Sequence, residues 1–470
     1  MARVRVMEEP PAVPATPSGN LLLGLVALGT LFMLLMGLLG TVKTGVLFNE
    51  ANLLFAALTF YAASTVLYFG FAMTGTERFV RFSWLATWAG FVSNTLAGAH
   101  RWYTAGHAPF SSVYEMLLAF IWALAALTLF VQRKYGVKVI GTITMPVAVV
   151  GVVLMQLLPS DVHPLVPALQ STWLHIHVTL AMLSYAACAV SFALAMMFLI
   201  QDKMSTESFL ANTSVLIALI YAGALSRFSS GGLAVVAQNP ETGRDLMIRP
   251  GMPLMVVIPD LGWLFTIVLA ALLVPVALYG WATWKKDDRG YAWANRAFVI
   301  AMVLQMLATV AFVLRVRGGQ YASPMAAGVF PTALVTSPFL LAGLLSGLLA
   351  SALYLMLSWR REGLQRMLPA ADTLDRLTYK TIGVAFPLLT LMIAAGAYWA
   401  NQTWGSYWSW DPKETAALVT WLVYAGYLHM RIARGWRGRR AAYFAVLGFA
   451  IVLFTFFGVT YVVGGLHAYA

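Results

Sequence analysis

The sequence carries little charge for its length. Only 10% of its 470 residues are Asp, Glu, Lys or Arg, whereas soluble globular domains carry about 25%. Hydrophobic residues make up 60% of the chain, and the mean hydropathy is +0.78. This composition excludes an ordinary soluble protein and indicates a chain that crosses a membrane many times.

Cysteine is almost absent from the sequence. Cys188 is the single cysteine, and it lies within the apolar stretch LSYAACAVSF. One cysteine cannot form an internal disulfide, a CxxC motif or a metal site built from several thiolates. Any thiol chemistry connected with this protein must therefore come from a partner.

Acidic residues are also scarce, with 18 Asp and Glu against 30 Lys and Arg and a net charge of +12. In a soluble protein this excess would indicate a nucleic-acid partner. Here the basic residues occupy short gaps between apolar runs, which is typical of loops that face the cytoplasm. We therefore assign the charge to membrane topology and expect contact with membrane lipid and none with nucleic acid.

Apolar runs long enough to cross the roughly 30 Å hydrocarbon layer recur along the chain. Because they lack the short alternating pattern of a β-barrel, they predict α-helices. The predicted fold is an all-α, polytopic integral membrane protein with about 13 transmembrane helices. The runs cover residues 21–42, 51–73, 82–100, 113–132, 139–158, 173–200, 209–227, 258–284, 295–315, 333–358, 380–400, 415–430 and 441–463.

The distribution of Lys and Arg predicts the orientation. With the N-terminus inside, 22 of the 30 basic side chains fall in inner segments, which favours an inner N-terminus and an outer C-terminus. Residues 1–20 show no signal-peptide cleavage pattern, so the first apolar run is expected to remain as a membrane anchor. The motif WGSYWSWDPKE, residues 404–414, then lies outside, and His429 lies near the inner surface. The outer face holds the other six histidines, His100, His107, His163, His175, His177 and His467.

Trp404, Trp408 and Trp410 concentrate flat aromatic surface in one short segment. Aromatic faces together with outer imidazoles suit a planar ligand whose metal takes axial nitrogen ligands, and heme is such a ligand. The alternative is an interfacial aromatic belt, because tryptophan is common where helices leave the bilayer.

The acidic residues near the aromatic segments have structural interpretations. Asp411 is expected to cap the following helix, with Pro412 in its first turn and Glu414 near its positive end. Such a cap would fix the aromatic loop. Glu115, at the start of a predicted helix, is expected to interact with the dipole of that helix.

Several histidines admit two interpretations. His177 and His467 lie at matching outer depths, where they could ligate one iron or simply lie at the membrane edge. His429 is an ionisable group at membrane depth, which indicates function, although it could also reach the headgroups beside Arg431. His175 is expected to pack, because it points to a different side of its helix from His177.

The segment WANQTWGSYWSWDPKETAALVTWLVYAGYLHMR closely resembles the tryptophan-rich signature (WWD domain) of the CcsA/ResC-type cytochrome c synthases of the system II pathway. These proteins belong to a heme-handling superfamily. Four further stretches are similar to that family: RWYTAGHAPFSSVYE, LVPALQSTWLHIHVTLAMLSYAA, LDRLTYKTIGVAFPLLT and FFGVTYVVGGLHAYA. Together the matching stretches span roughly residues 100–200 and 372–470.

The resemblance implies a holocytochrome c synthase-type enzyme, a heme lyase that forms thioethers. Heme b would be delivered to the outer face of the membrane that the chain crosses and attached there to the CxxCH cysteines of apocytochrome c. No side chain of this chain would act as nucleophile. The implied axial ligands are His177 and His467 for an outer heme and His429 for a heme in the membrane. The full set implied in heme binding is Trp404, Trp408, Trp410, Asp411, His177, His467 and His429.

The resemblance also implies partners and a location. A separate CcsB/ResB-type membrane subunit would supply the counterpart of His429, and a thiol-reducing thioredoxin-like protein would keep the apocytochrome reduced. The location would be the bacterial cytoplasmic (inner) membrane, with the active site on its outer, periplasmic face. The alternatives are a CcmF-type lyase, a CcmC-type heme loader, or a membrane transporter that acts without heme.

Four segments are predicted. Residues 1–20 form a Pro-rich cytoplasmic tail, and residues 21–200 a helix bundle with an outer loop and the first heme-ligand histidine. Residues 201–371 are inserted helices with a long outer loop, and residues 372–470 are the tryptophan-rich heme-handling core. Within the insertion, the Pro and Gly content of residues 228–257 predicts an irregular or partly folded loop.

Overall fold

Helices dominate the computed structural model. It describes residues 49–156, 158, 160–162, 164–202, 218, 221–222, 228–229, 231–239, 246–249, 252–332 and 338–458. The long helices in these residues are α1 (Glu50–Thr74), α2 (Glu77–Ala105), α3 (Val113–Tyr135), α4 (Gly141–Gln156), α5 (Thr172–Gln201), α6 (Leu261–Lys285), α7 (Asp288–Val316), α8 (Pro338–Met367), α9 (Ala371–Trp404), α10 (Pro412–Ala433) and α11 (Arg439–Leu453). A 3₁₀ turn, Pro167–Leu169, precedes α5, and a π-helical turn, Phe454–Gly458, follows α11.

These helices coincide with eleven of the thirteen predicted spans, and the architecture is that of an all-α membrane protein. The predicted span 21–42 and most of the span 209–227 lie outside the described residues. Seven described helices are long and apolar enough to cross a membrane, namely α1, α3, α5, α6, α7, α9 and α11 with its following turn. The total of thirteen spans and the sides of the termini stay predictions.

Short strands lie between α5 and α6, where the sequence predicted an irregular or partly folded loop for residues 228–257, and also between α7 and α8. β1 (Phe228–Ser229), β2 (Gly232–Val236) and β5 (Met255–Ile258) form an antiparallel sheet in the order β1-β2-β5. The β-branched runs of β2 and β5 explain this pairing, because such side chains pack well on a pleated surface. Two hairpins complete the strands, β3 (Met247–Arg249) with β4 (Met252–Pro253), and β6 (Gln320–Ala322) with β7 (Val329–Pro331).

Helix α5 lies at the centre of the bundle and packs against α3, α9 and α11. Its middle carries the small buried residues Ala186, Ala187, Cys188 and Ala189. Small residues let neighbouring helices approach closely, which is how helices associate in a membrane. The first turns of α5 lie beside the C-terminal half of α9, where Trp173 meets Tyr398 and His177 bonds to Met392.

A short loop, residues 405–411, connects α9 to α10 at this end of the bundle. Helix α9 ends at Gly405, whose φ of 77° is the left-handed conformation that glycine adopts readily. Its N–H donates to the carbonyl of Asn401 at 3.0 Å. Helix α10 then begins after Asp411, so the aromatic segment is held between two well-defined helix ends.

Candidate functional site

A cavity of about 160 Å³ lies where α5, α9 and the 405–411 loop meet. A single buried water needs only about 10–15 Å³ in this measure, so the cavity can take a ligand of many atoms. Its walls are mostly apolar. The lining residues are Phe110, Ser111, Val113, Met116, Leu169, Leu174, His177, Val178, Ala181, Met182, Tyr185, Met392, Ile393, Gly396, Ala397, Trp399, Ala400, Tyr407, Trp408, Lys413, Glu414, Ala417, Thr455 and Phe456.

His177, one of the predicted ligands, lines this cavity. Its Nδ1 lies 2.8 Å from the carbonyl oxygen of Met392, across the α5–α9 interface. A carbonyl only accepts, so Nδ1 donates, and in neutral imidazole the lone pair is then on Nε2. The hydrogen bond therefore sets both the tautomer and the orientation of the ring.

Gly396 makes room for the His177 ring. A Cβ at position 396 would lie 2.6 Å from Nδ1 and 2.7 Å from Cε1 of His177. At these distances, a side chain at position 396 would require the ring or the helix to shift. Because Gly396 has no side chain, the imidazole of His177 can approach α9 closely at this position.

Trp399, one turn after Gly396 on α9, also lies beside the His177 ring. Its indole lies 6.4 Å from the imidazole centroid of His177, at an angle of 18° between the planes. Its Nε1–H donates to the carbonyl of Ala168 at 2.9 Å, and its ring packs against Trp404 at 4.9 Å. Sequence reasoning missed Trp399, although the stretch YWANQTW places it one helical turn and a residue before Trp404.

The structure places the three predicted tryptophans differently. Trp408 lines the cavity, and its ring meets that of Trp410 edge to face at 5.8 Å and 90°. Trp410 is 68% exposed and has a φ of 60°, which is unusual for a bulky residue. Trp404 packs against Trp399 and is not part of the cavity wall. Heme contact by all three tryptophans therefore stays a prediction.

The predicted helix cap is confirmed at Asp411. Its carboxylate accepts from the N–H of Lys413 at 3.0 Å, and the Glu414 side chain accepts from the N–H of Asp411 at 3.3 Å. Together they form a capping box with Pro412 in the first turn of α10. Glu414 also accepts from the N–H of Ser409 at 2.8 Å, which fixes the loop that carries Trp408.

Lys413 is the only cationic residue among the described residues that line the cavity. It precedes the predicted membrane span 415–430. Burial lowers the pKa of its ammonium group, and the negative charge of Asp411 opposes this change. Within the described part of the chain, its Nζ makes no hydrogen bond and no ion pair.

A buried ion-pair cluster braces another part of the wall. Arg101 is 3% exposed, and its guanidinium lies 2.8 Å from Glu115 and 3.5 Å from Glu50. Glu115 also accepts from the N–H and the hydroxyl of Ser111, both at 2.7 Å, and Ser111 lines the cavity. Glu115 does lie in the first turn of α3, as predicted, but it also pairs with a charge on α2.

The cavity wall continues to the end of the described chain. Thr455 and Phe456 line it, and the Thr455 hydroxyl lies 2.9 Å from that of Thr420 on α10. The second predicted ligand, His467, comes eleven residues after Phe456 and lies outside the described residues, as does His163.

His429 is distant from this cavity. It is exposed on α10, 18 residues after Asp411, which corresponds to about 27 Å along one helix. The nearby Arg431 is bound to Asp375 of α9 by two hydrogen bonds of 2.6 and 2.7 Å. The structure therefore does not bring His429 and His177 to one site.

The other described histidines are His100, His107 and His175, and none of them lines the cavity. His175 bonds through Nδ1 to the carbonyl of Ser171 at 2.9 Å and meets Phe110 edge on. Its ring is thus used in packing, as predicted. The Nδ1 of His100 and the Nε2 of His107 are buried and have no hydrogen-bond partner among the described residues.

Comparisons with known proteins match most of the chain. The family model described as cytochrome c assembly protein matches residues 110–252 and 290–467. The chain is similar to the cytochrome c biogenesis protein CcsA of Trichormus variabilis, with 35% identity over 80% of this chain and 84% of that protein. The CcsA proteins of Nostoc punctiforme and Picosynechococcus sp. are each 33% identical over 80% of this chain, with 84% and 83% of their own lengths covered.

Proposed function

Because the chain belongs to the cytochrome c assembly protein family and to its CcsA-type members, we propose that it holds heme and attaches it covalently to an apocytochrome c. Heme, here the substrate, would bind in the cavity between α5, α9 and the 405–411 loop. The observation that carries this proposal is His177, an oriented imidazole that lines an apolar and aromatic cavity.

The residues around the cavity fit a planar, metal-bearing ligand. His177 would offer Nε2 to the iron, since Nδ1 donates to Met392. The indole of Trp408 would supply a flat apolar surface, and the capping box at Asp411 would hold that indole in place. His467 would be the second axial ligand.

The attachment step needs no nucleophile from this chain. Each CxxCH thiol adds across a heme vinyl group, so that sulfur bonds to one vinyl carbon and hydrogen to the other, with no leaving group. The contribution of the protein is to orient the heme ring toward the incoming cysteines. Such positioning can lower the activation barrier by several kcal/mol. This would make the chain a synthase subunit that acts on the outer face of the bacterial inner membrane.

His429, the exposed histidine on α10, suits a second heme-binding site. His429 lies about 27 Å from the cap at Asp411, so one heme cannot reach both ends of the helix. Its exposure leaves room for a ligand held jointly with a CcsB/ResB-type subunit. His429→Ala should then lower the heme content of the His177 site and the yield of cytochrome c, with normal protein levels. Full maturation by this variant at limiting heme would contradict this second heme-binding site.

The proposal is tested by reconstitution in a bacterium without its own cytochrome c maturation. The chain, its membrane partner and a CxxCH reporter are expressed together, and covalent heme on the reporter is measured by heme stain after denaturing electrophoresis. We expect covalent heme with the wild-type chain and little with His177→Ala. A transporter without heme chemistry would give no stained reporter and no heme spectrum in the purified protein, although the chain accumulates.

A further inference from the structure

We propose that Lys413 binds a carboxylate of the planar substrate and so determines which edge of the ring faces the tryptophan-bearing loop. The inference rests on the proposed function, because it takes heme as the occupant of the cavity. Lys413 would recognise the charged edge of heme, whereas the histidines would bind its iron.

Among the described lining residues, the cavity wall carries one cation, Lys413, and one carboxylate, Glu414. Glu414 is held by hydrogen bonds within its own loop, whereas no hydrogen bond or ion pair of the Lys413 ammonium group is found in the described residues, and the rest of the wall is mostly apolar and aromatic. A partly buried ammonium group without a direct partner is costly in such surroundings. An arriving carboxylate would remove that cost and would gain a charge-assisted hydrogen bond.

The carboxylates next to Lys413 are already bound to other groups. Asp411 accepts from the backbone N–H of Lys413. Glu414 accepts from the N–H groups of Ser409 and Asp411 and from the Ser409 hydroxyl. In the described residues, the Lys413 ammonium group therefore has counter-charge in its neighbourhood but no direct partner.

A contact between Lys413 and a propionate would orient the vinyl groups of heme. Heme carries its propionate carboxylates on one edge and its vinyl groups toward the other side of the ring. A carboxylate held at Lys413 leaves the vinyl groups away from the start of α10. Since each thioether requires one vinyl group to meet one cysteine, a fixed orientation would favour the correct pairing of sulfur and vinyl.

The test compares heme with heme dimethyl ester, which lacks the negative charges. Purified full-length protein in detergent is titrated with each compound, and the dissociation constants are taken from the Soret band. We expect the wild type to bind heme about tenfold or more tightly than the ester, since hydrogen bonds between charged groups contribute that much. Lys413→Met should lose this preference, because it should weaken the binding of heme but not that of the ester. Lys413→Arg should keep most of the preference.

Lys380→Met is the matched control, because Lys380 is an exposed lysine on α9 outside the cavity. It should show the wild-type preference for heme. An unchanged preference in Lys413→Met, or equal affinities of the wild type for heme and ester, would overturn the role of Lys413 and leave the heme site intact. No binding of either compound by the wild type would refute the proposed function itself.

Discussion

Replacing Gly396 with alanine would place a methyl group where the His177 ring now lies. The new carbon would be 2.6 Å from Nδ1, whereas ordinary van der Waals contact begins near 3.4 Å, so ring and helix would have to separate by about 0.8 Å. That shift also stretches the 2.8 Å hydrogen bond to the carbonyl of Met392. The imidazole would lose both its position and the contact that sets its tautomer.

Overpacking of this kind costs about 1–3 kcal/mol, which corresponds to roughly 5- to 150-fold weaker heme binding if the strain falls on the ligand. The assay is Soret titration of the purified Gly396→Ala variant. Gly383→Ala is the control, because Gly383 lies on the same helix and a Cβ there meets nothing within 4 Å. Both changes add the same helix propensity. Equal heme affinity in the two variants would refute the close approach of Gly396 to a ligand histidine.

Two further substitutions probe the supports of the cavity. Trp399→Phe keeps an aromatic ring but removes the indole N–H and its 2.9 Å hydrogen bond to the carbonyl of Ala168. Heme affinity should therefore fall about 2- to 13-fold, from a loss of about 0.5–1.5 kcal/mol, and wild-type affinity would contradict this role. Glu115→Ala leaves Arg101 buried without its nearest counterion and should lower the stability by about 3 kcal/mol, seen as a lower melting temperature in detergent. Glu77→Ala, in an exposed ion pair, should change stability by less than about 1 kcal/mol, and a similar loss in both variants would argue against the buried cluster.

Local signals allowed part of this structure to be predicted. The apolar runs predicted the helices because backbone groups in lipid must bond within their own segment. The cap at Asp411 was predictable because its contacts join residues at most five positions apart. The tryptophan-rich motif and His177 were also found in the sequence, and His177 does line a cavity with Trp408.

Contacts between distant segments could not be predicted in this way. Gly396 and Trp399 are ordinary helix residues in the sequence, and their roles follow from the packing of α9 on α5. The pairing of Arg101 with Glu50 and Glu115 depends on three elements meeting at one point. The strand pairs of residues 228–258 likewise depend on a register that composition does not specify.

The central claim is that His177 holds the iron of a heme in this cavity. The most direct measurement is the absorption spectrum of purified His177→Gly protein in its oxidised and reduced states, with and without added imidazole. His175→Gly serves as the control, because that ring bonds to its own helix. We expect His177→Gly to lose the Soret band and the split bands of reduced heme, and imidazole to restore them by filling the vacated position. A wild-type spectrum in His177→Gly without imidazole would contradict it.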